Sequence, residues 1–80
     1  MDAPSTLRSA AAEDEDVAIT RRDRDDGTLI VVDFGEEVEA QLDVVDDTAI
    51  VVAGENQYEF EVPEGVTDLS TNDGMLEIRA

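Results

Sequence analysis

The densest cluster of potential ligands in this sequence is Asp23-Arg24-Asp25-Asp26-Gly27, which has the carboxylates and closing glycine of a cation-binding loop. A calcium loop spaces its oxygen donors at alternate positions and ends on a bidentate Glu at the twelfth. Here the acids are shifted, and the twelfth position counted from Asp23 is Phe34. A hairpin turn accounts for the five residues better. The run Glu13 to Asp16 and the pair Glu36-Glu37 can attract cations loosely, but neither implies a built cage. Nucleophilic and acid–base chemistry is just as poorly supplied. The chain has no Cys, His or Lys, so a thiolate, an imidazole base and a Schiff-base amine are all missing. Ser5 and Ser9 fall near the N-terminus, and Ser70 has no His to activate it. The five glycines sit at turns and form no phosphate-cradling loop. Carboxylates are so frequent that any pairing of them is uninformative. No catalytic, cofactor-binding or metal site is assigned, and the sequence is read as a non-enzyme that needs no cofactor.

The same residues set the charge. Against 22 acids stand five Arg, a formal net charge of −17 over 80 residues. A surface this negative cannot neutralise phosphates, so nucleic acid is not an expected partner, and anionic membranes are excluded by the same sign. The cluster Arg21-Arg22-Arg24 is too short, and too mixed with Asp, to reverse this. Zero Lys beside 22 acids is similar to the proteins of extreme halophiles, where carboxylates hold water and salt screens their repulsion. A nucleic-acid mimic is the sharper alternative for the same charge, but no residue names its partner. No apolar run approaches the length of a membrane span, and the N-terminus lacks the pattern of a secretory signal. A cytoplasmic location is expected.

Such charge could leave a chain disordered, yet 21 of the 80 residues are Val, Ile, Leu or Phe, enough to bury a core. Residues 1–16 are poor in bulky apolar side chains and end in four acids; they read as a flexible acidic tail, with a helix over Ser9 to Ala12 too short to nucleate alone. From Val17 onward, short β-branched runs alternate with turn residues every eight to twelve positions, the mark of an antiparallel sandwich. The expected strands are Val17 to Arg22, Thr28 to Phe34, Ala40 to Val45, Thr48 to Ala53, Gln57 to Val62 and Met75 to Arg79. Asp25-Asp26-Gly27, Asp46-Asp47, Gly54-Glu55-Asn56 and Asn72-Asp73-Gly74 supply tight turns, and Pro63 ends the fifth strand because it cannot donate to a ladder. Strict alternation in Gln57 to Val62 makes one of its faces core and the other wet. Leu29 to Val32 and Ile50 to Val52 are apolar on both faces, which predicts central strands or a face covered by a partner.

Three colinear stretches resemble the alpha-crystallin domain of small heat-shock proteins. TLIVVDFGEEVEAQLDVVDDTAIVVAGE, Thr28 to Glu55, is similar to the family's strand, Gly turn, acidic corner and hairpin. YEFEVPEGV, Tyr58 to Val66, is similar to its aromatic strand followed by Leu-Pro-Glu-Gly-Val. NDGMLEI, Asn72 to Ile78, is similar to its Asn-Gly-Val-Leu signature. With its acidity, the chain resembles a minimal, haloarchaeal-type version of this domain over residues 17–80. The resemblance implies an all-β, immunoglobulin-like antiparallel sandwich of six to seven strands. One sheet holds Val17 to Arg22, Thr28 to Phe34, Met75 to Arg79 and a short strand near Asp68 to Thr71, and the other holds the remaining three strands.

The implied activity is ATP-independent holding of unfolding client proteins at exposed strand edges and apolar grooves. Leu42, Val44 and Leu69 match the family's groove region, and Tyr58 and Phe60 complete the implied client- or partner-binding set. The alternative is a stand-alone module of the same fold that meets one protein partner without holdase activity. A single residue, Asn56, separates Glu55 from Gln57, which leaves no loop for strand exchange, and Ala80 directly follows the last strand, where the family carries an Ile-x-Ile tail. A monomer or weak dimer pairing the Gln57 to Val62 edge is expected, and large oligomers are not. The halophilic reading makes a direct prediction: far-UV circular dichroism shows a cooperative fold in molar KCl and its loss on dialysis into dilute buffer, where unscreened carboxylates repel.

Overall fold

The computed structural model describes residues 2–80 as a helix and seven strands in two antiparallel sheets. Helix α1 spans Ser5–Glu13, followed by β1 (Ala18–Arg24), β2 (Gly27–Asp33), β3 (Ala40–Val45), β4 (Thr48–Ala53), β5 (Asn56–Glu61), β6 (Asp68–Asn72) and β7 (Met75–Arg79). The four-stranded sheet has the order β1-β2-β7-β6 and the three-stranded sheet β3-β4-β5, an immunoglobulin-like sandwich. The two doubly apolar runs are the inner strands β2 and β4.

Two-residue turns set the register. Arg24 pairs with Gly27, Val45 with Thr48, Ala53 with Asn56 and Asn72 with Met75, so only two residues lie between each pair of strands. Asp46, Gly54 and Asp73 open three of these turns with positive φ (54°, 62° and 53°), a conformation that Asp and Gly tolerate best. Because the first hairpin closes so tightly, β1 continues past Arg22 to Arg24. Side-chain alternation then sends Ile30, Val32, Leu76 and Ile78 inward from one sheet and Ala49, Val51, Ala53 and Phe60 from the other; all are buried. No polar or charged residue among those described is buried, so every carboxylate stays in water.

The crossover from β2 to β3 rests on bare backbone. Phe34 N–H donates to the Gly74 carbonyl (2.8 Å) and Ala40 N–H to the Asp73 carbonyl (2.8 Å). A Cβ on Gly74 would overlap the carbonyl oxygens of Gly35 and Val38, so no larger residue fits there.

The N-terminal segment departs from the flexible tail that its composition predicts. Residues Ser5–Glu13 are helical, and Leu7 is fully buried with Ala3 at 8% exposure beside it. Local propensity, chiefly Ala10 to Ala12, does not suffice to explain the helix. Pro4 provides no side-chain cap, the last turn carries Glu13 and no cation, and nine residues are marginal alone. Docking does explain it, because α1 packs against β5 and β1 and covers the open flank between the two sheets. Arg21 of β1 also reaches Asp2 at 2.7 Å, an exposed pair that contributes at most about 1 kcal/mol.

Replacing Leu7 with Ala should therefore cost about 2–5 kcal/mol of unfolding free energy, as for other buried leucines, and should also remove the helical signal. Denaturant titration in molar KCl followed by circular dichroism measures both.

Candidate functional site

With one flank sealed by α1, the other is the place where apolar side chains meet solvent. There β3 and β6 approach from opposite sheets. Val44 lies on the inward-facing row of β3 but near the end of this edge strand, and it remains 46% exposed. Leu69 occupies the inward row of β6, opposite Ile78, and is half-buried. Between them runs an open groove of about 330 Å³, lined by Val44, Val62, Val66 and Leu69, with Asp46, Asp47 and Asp68 at its rim.

The backbone around this groove is held by hydrogen bonds that cross between elements. Val62 N–H donates to the Asp47 carbonyl (2.8 Å) and fixes the exit of β5 to the β3–β4 turn. Thr67 N–H donates to the Arg79 carbonyl (2.8 Å) and ties the entry of β6 to β7. The segment between them turns on the Val66 N–H to Pro63 carbonyl bond (3.3 Å), which brings Val62 and Val66 to one wall. The groove is thus apolar at its floor, acidic at its rim and open at the strand edges. This arrangement can seat an apolar side chain of a partner segment.

Three of the five expected binding residues belong to this flank. Val44 and Leu69 line the groove, and Leu42, half-buried, sits two positions before Val44 on the same row of β3. Tyr58 and Phe60 do not join them. They lie on β5 at the far edge of the three-stranded sheet. Phe60 is buried in the core at 6% exposure, and the half-buried Tyr58 stacks on Phe34 with ring centroids 5.5 Å apart and planes 16° apart. Alternation places these aromatics on the inward face, and that face at β5 belongs to the core and to the flank under α1. Conversely, Val62 and Val66 were not expected in the site. The signal for them was the Pro63-Glu64-Gly65 turn, which folds the chain back at the groove.

Among the described residues, no group of three His, Cys, Asp or Glu side chains converges as metal ligands would. No helix among them is long and apolar enough to cross a membrane. Asp23, expected in the hairpin turn, lies in β1 opposite Thr28, and its Oδ1 accepts hydrogen bonds from the Thr28 hydroxyl (3.0 Å) and from Arg21 Nε (3.2 Å). These two bonds, Thr28 first, hold its carboxyl below the usual carboxylate range.

The chain belongs to a family of unknown function (DUF7127), whose model matches residues 1–80. No curated protein and no solved structure matches it.

Asp23 gives a test with a definite sign. A carboxyl held below its ordinary range contributes stability above the unfolded-state value, near pH 4, and loses it as pH falls through the folded-state value. Asp23→Asn should lower the melting temperature slightly at neutral pH, and the difference from the parent chain should close as the pH is lowered below 4. Thermal melts of the two proteins across that range measure it.

Proposed function

We propose that this chain is a small heat-shock-like, ATP-independent holdase-type domain that binds unfolding proteins in a high-salt cytoplasm. The observation that carries the reading is the groove between β3 and β6, with Val44, Val62, Val66 and Leu69 presented beside two edge strands. An unfolding protein offers apolar side chains on extended backbone, and an apolar slot flanked by strand edges suits both features. The three sequence stretches similar to alpha-crystallin domains, and the partition of strands that this likeness implies, support the same reading. The acidic rim contributes differently: Asp46, Asp47 and Asp68 keep the open flank hydrated and blunt pairing between copies at the edges.

A second reading has its own support. Among the described residues, the exposed large hydrophobics are Val44, Val45 and Val52 alone. That is little surface for many clients, and it favours a stand-alone module that seats one segment of one protein partner in the same groove.

The readings separate in one experiment. Light scattering of a heat-labile client in molar KCl, without ATP, should show aggregation suppressed by the parent chain and several-fold less so by Val44→Asp, whose fold is checked by circular dichroism. No suppression at a molar excess of the chain rejects the holdase; one tight partner recovered from a high-salt lysate by the parent and lost with Val44→Asp then selects the module.

A further inference from the structure

The outward faces of the two sheets carry matching rows of opposite charge. On the four-stranded sheet, Arg22 of β1 pairs with Leu29 of β2, which pairs in turn with Arg79 of β7. Leu29 is thus an apolar residue bracketed by two guanidinium groups. On the three-stranded sheet, Asp43 of β3 pairs with Ile50 of β4, which pairs with Glu59 of β5. Ile50 is bracketed by two carboxylates. Neighbouring strands lie about 4.8 Å apart, so in each row the two charges stand about 10 Å apart with the apolar residue midway.

The rows are extended by further apolar surface. Val31 lies beside Leu29 on the first face, and Val52, 37% exposed, lies beside Ile50 on the second, with Val45 at 53% exposure farther along. The two faces differ in their cations, although Asp33 and Glu77 stand on the outward face of the four-stranded sheet beside the arginines. The outward positions of β3, β4 and β5 hold Asp43, Glu59 and Glu61 and no cation. Arg22, Arg24 and Arg79, three of the chain's five cations, belong to the other face. Among the described residues Arg22 and Arg24 form no ion pair, and Arg79 gives one N–H to Glu77 at 3.2 Å, which leaves its remaining donors free. Asp68, paired with Arg79 across the strands, offsets part of that charge.

We infer that the outward face of the four-stranded sheet docks the outward face of the three-stranded sheet of a second copy of this chain, Leu29 over Ile50 and Arg22 and Arg79 over Asp43 and Glu59. The occupant follows from charge complementarity: the row that matches Arg-Leu-Arg in sign, order and spacing is carried by the same molecule. Two different faces meet, so the contact is head-to-tail, and each added copy leaves one face of each kind open. With a net charge of −17, copies repel at a distance in dilute salt; strong screening removes this repulsion while groups in direct contact still attract. The stacks are therefore short, reversible and dependent on salt.

Sedimentation velocity in molar KCl tests this with complementary charge reversals. The parent chain should associate progressively with concentration. Arg22→Glu, which spoils one face, and Glu59→Arg, which spoils the other, should each be monomeric and folded by circular dichroism. An equimolar mixture of the two should give a 1:1 pair and nothing larger, because one intact face of each kind remains. Arg8→Glu, a change of equal charge on α1 outside both rows, should associate like the parent. A parent chain that stays monomeric at high concentration, a closed dimer that Arg22→Glu leaves intact, or a mixture that remains monomeric would each overturn the proposal.

Discussion

Two small apolar faces hold this molecule together against its own charge. Ile30, Val32, Leu76 and Ile78 meet Ala49, Val51 and Phe60 across the sandwich, and burial of each large member is worth about 1.5–3 kcal/mol relative to exposure. The opposing layer is built largely from alanine and valine, so the interior is thin. No carboxylate intrudes on it. Because a charge buried without a partner costs far more than such a core could offset, none of the 22 acids is buried. The alternation of each strand, the composition of each turn and the closing of the first flank all follow from this one requirement.

The requirement also explains where the molecule is open. Seven strands in two layers leave two flanks, and α1 spends its one large apolar residue, Leu7, on the flank between β1 and β5. The opposite flank is narrowed by the approach of β3 and β6 and is lined by branched aliphatic side chains that the sandwich does not cover. What can bind is therefore decided by which flank the chain seals for itself.

Much of this was legible in the sequence, for identifiable reasons. Alternating runs and two-residue turns are local signals, and β3, β4 and β7 begin and end where those signals place them; Asp46-Asp47 alone determines where one strand stops and the next begins. The helix was not legible because its cause is not local. Leu7 is its single large apolar residue, no side chain caps its N-terminus, and much of the surface that stabilises it comes from β5, far along the chain. The groove was half legible. Leu42, Val44 and Leu69 fall at its flank, whereas Val62 and Val66 depend on the path of a turn that follows a proline. Tyr58 and Phe60 show the opposite failure, since alternation tells which side of a sheet a residue faces but not which end of the sandwich it occupies.

The bare backbone at Gly74 bears on how the molecule assembles in time. The loop bearing Gly35 and Val38 lies against a turn formed by Asp73 and Gly74, nearly half the chain later, and the hydrogen bonds from Phe34 and Ala40 span the same interval. Hairpins such as β3–β4 close over two residues and can form early, but the alignment of one layer on the other must wait until the last hairpin has been made. Loop-closure entropy makes contacts of such long range slow to form. A chain emerging from the ribosome would thus carry finished hairpins for some time before its layers lock, and during that interval its apolar faces are shielded chiefly by the charges beside them.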